Sequence, residues 1–491
     1  MSATTEERTG FAGRLDSYFE ITTRGSTIGR EIRGGLTTFF TMAYIVVLNP
    51  IILTTVPDST GMYLGGTEDP ATARALVAAA TALIAGILTI LMGVWARFPL
   101  ALATGLGLNA FVAFGIATRE GMTWPQAMGF VVIEGIIITV LVLSGFRKAV
   151  FAAVPDFLKQ AIAVGIGLFL AFIGLFDAGM VRIPASGATP TEFGIGGYIG
   201  SWPMVVFVVG LFTAIILMVK KVRGALLISI VVATVIAILI QSALSLGSAG
   251  ESGVASDWAN VVPAIPSTVV EAPDFSLIGQ VDLFGGFTTL PFVTALLIVF
   301  SLLMADFFDT MGTMTAVGAE AGLNDEHGNP PRAQEILLVD SLGAVAGGVG
   351  SVSSNTTYIE SAAGVGDGAR TGLASVVTGI AFLLSTFLTP LYHVVPFEAA
   401  TPVLVVVGFL MVSQVAGIDW KDFRIAIPAF LTFILMPFGY SITVGIGAGF
   451  ISFVVLQIAT GAAKKVHPLM WGTAAAFVVY FAMGPIMNVI G

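Results

Sequence analysis

Apolar runs of about twenty residues, the length a helix needs to cross a bilayer, recur from near one end of the chain to the other. Charged residues make up only 10% of the 491 positions, against about 25% in a soluble domain, and mean hydropathy is +0.96. These features specify an all-α polytopic integral membrane protein. The runs fall at 34–54, 73–95, 99–118, 125–145, 158–177, 203–221 and 224–246. After a Gly/Ser-rich acidic segment at 247–287 they resume at 288–318, 335–351, 352–368, 371–392, 399–416, 424–440 and 442–462. That is fourteen expected spans, with an apolar stretch at 467–490 left over. The polar residues 1–33 lack the pattern of a cleaved signal peptide. With no cysteine, and with His327, His393 and His467 scattered, no metal or other cofactor is expected. The net charge of −9 says little, and no nucleic-acid partner is expected.

Lysine and arginine set an orientation. With a cytoplasmic N-terminus, every Lys and Arg except Arg74, Arg119 and Arg182 falls on the cytoplasmic side, as the positive-inside rule requires. Shifting one boundary would destroy the pattern, so it supports the count as well as the direction. The expectation is a multi-pass protein of the cell membrane.

The two halves match in outline. Each has seven expected spans, and an odd number inverts the second relative to the first. Each third span is interrupted. In the first half the run is Phe98-Pro-Leu-Ala-Leu-Ala-Thr-Gly-Leu-Gly-Leu-Asn-Ala-Phe111, where Pro99, Gly105 and Gly107 discourage a continuous helix. In the second it is Thr356-Thr-Tyr-Ile359, preceded by Gly347-Gly-Val-Gly350; β-branched and aromatic residues favour extended chain there, and a helix can restart at Glu360. Paired interruptions at matching positions point to a transporter's binding site. Broken backbone at membrane depth is tolerable only when buried in protein or lining a cavity. Half-helices meeting there would also offer free N–H donors.

Acids inside apolar runs supply the chemistry. The run from Pro291 through Met304-Ala-Asp-Phe-Phe-Asp-Thr-Met-Gly-Thr313 carries Asp306 and Asp309, and an ionisable group at that depth costs at least about 2.5–3.5 kcal/mol on insertion scales. Asp309 reads as a proton-carrying or substrate-contacting carboxylate; the plain alternative is a helix–helix hydrogen bond. Asp306, one turn earlier, is evenly balanced between the two. Glu360, at the strand-to-helix junction, and Asn109, past the Gly-Leu-Gly break, are further candidates. Thr313, one turn from Asp309, leads its neighbours Thr310 and Thr315, which can back-bond to their own helix. Thr357, in the same run as Glu360, joins the set. Asp340, near an expected cytoplasmic end, reads as solvated or capping. Glu134 has no account beyond an interior partner. A carboxyl facing a cavity can carry a proton inward and, when charged, accept hydrogen bonds from a ligand's N–H groups. No Arg or Lys lies in the spans' interiors, so a neutral, N–H-rich ligand fits better than an anion.

The chain resembles the nucleobase–cation symporter family in its AzgA-like purine permease branch. The resemblance rests on Glu31-Ile-Arg-Gly-Gly-Leu-Thr-Thr-Phe-Phe-Thr-Met-Ala-Tyr-Ile45 with Asn49-Pro50, Gly105-Leu-Gly-Leu-Asn-Ala110, Phe308-Asp-Thr-Met-Gly-Thr313, Thr356-Thr-Tyr-Ile-Glu-Ser-Ala-Ala-Gly364, Arg370-Thr-Gly372, Ala400-Thr-Pro-Val-Leu404, and Pro428-Ala-Phe-Leu-Thr432 through Pro437-Phe-Gly-Tyr-Ser-Ile442. It implies two inverted seven-span repeats. Spans one to four (34–145) and eight to eleven (288–392) would form a core domain. Spans five to seven (158–246) and twelve to fourteen (399–462) would form a gate and a homodimer surface. It also implies proton symport of adenine, guanine or hypoxanthine by an elevator motion. Asp309 and Glu360 match the family's binding carboxylates and Asn109 its third-span polar residue. Related branches hold a titratable group where this chain has Thr313.

Other readings compete. A carrier of xanthine or uracil, or of anions, could share the architecture, although two acids disfavour an anion site. Gly364-Val-Gly-Asp367 matches a short pattern of intramembrane aspartyl proteases, a remote enzymatic reading. A non-transporting scaffold leaves the buried acids unexplained.

Overall fold

The computed structural model describes residues 10–144, 154–184, 187, 189–249, 254–259, 261–266, 268–326 and 329–482. In chain order the first half comprises α1 (Phe11–Phe19), α2 (Ile28–Met42), α3 (Ile45–Leu53), α4 (Pro70–Leu91), β1 (Leu102–Thr104), α5 (Leu106–Ala110), α6 (Trp124–Ser144) and α7 (Asp156–Asp177). A small hairpin of β2 (Val181–Arg182) and β3 (Glu192–Phe193) precedes α8 (Trp202–Val219) and α9 (Ala225–Leu244). The second half runs through α10 (Gly285–Thr289), α11 (Phe292–Glu320), α12 (Ala333–Val349), β4 (Asn355–Thr357), α13 (Ser361–Gly366) and α14 (Gly372–Ser385). It closes with α15 (Thr389–His393), α16 (Phe397–Ala400), α17 (Pro402–Val412), α18 (Phe423–Phe438), α19 (Ile442–Ala459) and α20 (Pro468–Phe481).

Ten helices among the described residues are long and apolar enough to cross a membrane. The other four expected spans are not among these ten. The runs at 99–118 and 352–368 are each a three-residue strand followed by a short helix, while those at 335–351 and 424–440 become α12 and α18, of 17 and 16 residues. The first span was expected to be one piece, yet it breaks at Ala43–Tyr44 between α2 and α3. Of the leftover stretch, α20 packs on α19 and α11 with Phe477 buried, and residues 483–490 lie outside the described set.

The two interrupted segments pair. β1 and β4 run antiparallel with Leu102 opposite Thr357, Ala103 opposite Thr356 and Thr104 opposite Asn355. The Gly105 N–H donates to the Ser354 carbonyl at 3.0 Å and the Tyr358 N–H to the Ala101 carbonyl at 2.9 Å, lengthening the ladder at both ends. A two-stranded ribbon inside a membrane exposes two outer edges, and unsatisfied backbone there costs several kcal/mol per group. Side chains close them. The Thr89 hydroxyl lies 3.0 Å from both the N–H and the carbonyl oxygen of Leu102, Ser361 Oγ accepts from the Ala101 N–H, and Ser375 Oγ accepts from the Leu100 N–H. On the β4 side Asp340 Oδ1 accepts from the Thr357 N–H at 3.1 Å, and the Asn49 amide donates to the Val352 carbonyl at 3.2 Å.

Small residues bring the helices close around this ribbon, as expected where lipid supplies no hydrophobic drive for helix association. α14 packs on α2 and α4, α12 on α6, and α11 on α6, α13 and β4. A second group forms where α17 and α18 pack on α7, α18 on α19, and α8 on α9. Gly347 on α12 marks the tightest approach to β4: a β-carbon there would overlap the Ser353 carbonyl oxygen and stand 2.5 Å from the Asn355 side-chain nitrogen. Gly347→Val should therefore cost about 1–3 kcal/mol or more through overpacking. The melting temperature and folded yield of detergent-solubilised protein are expected to fall, while Gly472→Ala, with open space at its β-carbon, leaves both unchanged.

Candidate functional site

The strand crossing places side chains from three separate stretches together. Glu360 precedes α13 three residues after β4 ends, because the extended run stops where Ser361-Ala-Ala can turn helical. Asp309 lies in the middle of α11, which packs against both β4 and α13. Asp309 is exposed and Glu360 half-buried, although both belong to the interior of apolar segments. The two carboxylates are within electrostatic reach of each other, and the charged groups acting on Asp309 are Asp306 and Glu360, both acids.

Tyr44 completes this group. Its ring is buried at the α2–α3 break and its hydroxyl donates to Glu360 Oε1 at 2.5 Å. Tyr358 is buried beside it and donates to the Thr104 carbonyl at 2.5 Å, tying β4 to the end of β1. Sequence reasoning did not single out either tyrosine. Tyr44 had a usable signal, a phenol inside an otherwise apolar span, since a buried Tyr hydroxyl needs a partner.

The remaining candidates sit behind this surface. Asn109 is fully buried, donates to Thr104 Oγ1 at 3.2 Å, and leaves its amide oxygen without a donor. Thr357 is buried with its hydroxyl unpartnered, while its N–H goes to Asp340. Thr313 is buried on α11. Asp340 departs from expectation: it is neither solvated nor a cap, but is buried and receives the Thr310 hydroxyl at 2.8 Å as well as the Thr357 N–H. A strand edge in a dry interior needs an acceptor, and Asp340 supplies it. Asp306 is buried and accepts from Ser354 Oγ at 3.1 Å. Asp367, the foothold of the protease reading, has its carboxylate occupied by the Thr37 hydroxyl at 2.5 Å and by an ion pair with Arg223.

Comparison with known proteins gives the family. The profile of a permease family matches residues 29–448. The chain belongs to this permease family. The permease is 38% identical to the guanine/hypoxanthine permease PbuG of Bacillus subtilis over 473 residues, covering 95% of this chain and 99% of the relative. It is 36% identical to the adenine permease AdeP of Escherichia coli, covering 96% of this chain and 97% of the relative. Among solved structures, the permease is similar to the transmembrane domain of a cyanobacterial bicarbonate transporter, BicA (TM-score 0.56, 16% identity, 86% of this chain and 97% of that one). It is also similar to the murine Slc26a9 anion transporter in its inward-facing state (TM-score 0.58, 13% identity, 94% of this chain and 74% of that one). At these identities the structures establish a shared polytopic fold.

Removing the Tyr44 donor to Glu360 tests the site. A hydrogen bond to a charged group contributes about 1.5–3 kcal/mol, so Tyr44→Phe should lower transport efficiency roughly ten- to a hundredfold. The check is uptake normalised to the amount of permease in the membrane, which is expected to stay at the wild-type level.

Proposed function

We propose that the permease imports purine nucleobases, with guanine, hypoxanthine and adenine as candidate substrates, by proton symport across the cell membrane. The observation that carries this reading is the exposed Asp309 and half-buried Glu360 beside the β1–β4 crossing, with the acids Asp306 and Glu360 acting on Asp309. Purine bases are neutral, flat and rich in ring N–H donors, and two carboxylates accept from such donors. Near-full-length similarity to guanine/hypoxanthine and adenine permeases supports the same substrate class. Such a protein is a carrier and not an enzyme.

In this reading Glu360, held by Tyr44, accepts hydrogen bonds from one edge of the purine. Asp309 meets another edge and exchanges a proton with transport. Asn109, Thr313 and Thr357 line the site's rear, where the free amide oxygen of Asn109 and the free hydroxyl of Thr357 become partners as the site closes on its ligand. The chain forms two inverted seven-span repeats, with the strand-helix segments as the third span of each. α2–α6 with α11–α14 make the core, and α7–α9 with α17–α19 make the gate; the separation of helix packing into these two groups supports the division. Elevator movement of core against gate then carries the site across the membrane. The N-terminus is cytoplasmic by the lysine and arginine distribution, and two copies associate through the gate.

A carrier of small anions is the second reading, favoured by the solved neighbours' fold. Anion sites place positive or neutral groups at the ligand, so flux of bicarbonate or chloride into vesicles holding the purified protein is expected to stay at background while labelled hypoxanthine enters. Glu360→Gln and Asp309→Asn each leave a ligand donor or a buried partner poorly matched, at about 1–3 kcal/mol, or roughly five- to a hundredfold in uptake. Both variants should insert normally. Wild-type uptake kinetics in both would reject the assignment, and competition by unlabelled bases at several pH values ranks the purines.

A further inference from the structure

Behind the nucleobase site lies an acid pair that the site does not use. Glu134 on α6 and Asp306 on α11 have no exposed surface, and their carboxyl groups lie close enough to share a hydrogen bond. Ionised carboxylates only accept hydrogen bonds, so two of them bond each other only with a proton between them. The protein offers no substitute donor: both Glu134 oxygens and Asp306 Oδ1 are buried without one. The other Asp306 oxygen takes the Ser354 hydroxyl.

The surroundings supply no counter-charge. α6 carries no charged residue but Glu134. α12, packed against it, presents Asp340, which acts on Glu134, and α11 presents Asp309 one turn from Asp306. From the β4 stretch the hydroxyls of Ser354 and Thr356 approach Asp306. Beyond them stand Glu360, Tyr44 and Tyr358. Two adjacent full charges in such a place, with a third acid nearby, lack the pairing that makes buried charge tolerable.

We infer that the Glu134–Asp306 pair is a proton-binding site, holding one proton between its carboxyl groups in this conformation and releasing it during the transport cycle. The inference rests on the proton-symport reading above and adds to it a second protonation site, remote from the nucleobase. A file of hydroxyls leads away from the pair. The Thr356 hydroxyl lies within reach of Asp306, Thr356 Oγ1 lies 2.8 Å from Thr310 Oγ1, and Thr310 Oγ1 lies 2.8 Å from Asp340 Oδ2. Each hydroxyl can accept a proton on one side and donate on the other, and the file ends on the Asp340 carboxylate. No bond between heavy atoms changes: the proton leaves the pair and is taken up by Asp340 or water. Release leaves two unscreened charges, so it is favourable only when the pair separates or water enters. That requirement ties the proton to a shift of α6 against α11.

Glu134→Gln tests the proposal, because an amide keeps a donor toward Asp306 and cannot release it as a proton. In proteoliposomes, exchange of labelled for unlabelled hypoxanthine is expected to persist in the variant, while accumulation driven by an imposed pH gradient falls to the equilibrium level. Accumulation equal to wild type overturns the proposal. So does wild-type accumulation that follows a sodium gradient without a pH gradient, since a metal cation would then occupy the pair. If the variant loses exchange as well, infrared spectra of wild-type protein decide. A protonated-carboxyl band at neutral pH that moves on carbon-13 labelling of glutamate supports the site, and its absence refutes it. Failure of the wild type to exchange any purine would instead sink the transport reading.

Discussion

Pairing between β1 and β4 is the constraint on which the rest depends. Two stretches some 250 residues apart in sequence leave helical structure at membrane depth, and each can do so only because the other satisfies its backbone. The pairing explains why hydroxyls of Thr89, Ser361 and Ser375 and the Asp340 carboxylate sit in an apolar interior: they close the ribbon's outer edges. It also explains Gly347, where any side chain would strike the β4 strand.

The ribbon gathers chemistry as well as backbone. Glu360 stands where β4 gives way to α13, and Asp309 reaches the same region from α11. The break at Tyr44 belongs to this arrangement, since it delivers a phenol to Glu360 from a third segment. A carrier that must bind, release and bind again gains from such a construction. Glu360 is held by the Tyr44 hydroxyl, and Asp309 comes from a separate helix.

The architecture was legible to a large degree because membrane helices announce themselves in one dimension. Hydropathy located every long helix, and Pro99, Gly105 and the Thr-Thr-Tyr run located the interruptions, since local preference alone rules out regular helix there. The runs at 335–351 and 424–440 match helices of 17 and 16 residues with ends within two positions. Asp340 was misplaced because distance from basic residues measures depth in a span and says nothing of which neighbour a side chain meets. Glu134 was visible as an anomaly and had no explanation until α6 lay beside α11.

The sequence by itself determined a many-span helical membrane protein, the points where its helices break, and the few acids that an apolar environment would otherwise expel. Those are consequences of transfer free energy and backbone preference, which act residue by residue. Only the tertiary structure decided that the two breaks pair, that Tyr44 serves Glu360, and that Glu134 meets Asp306. Hydrogen bonds form over about 3 Å, and that proximity is set by how helices distant in the chain pack together.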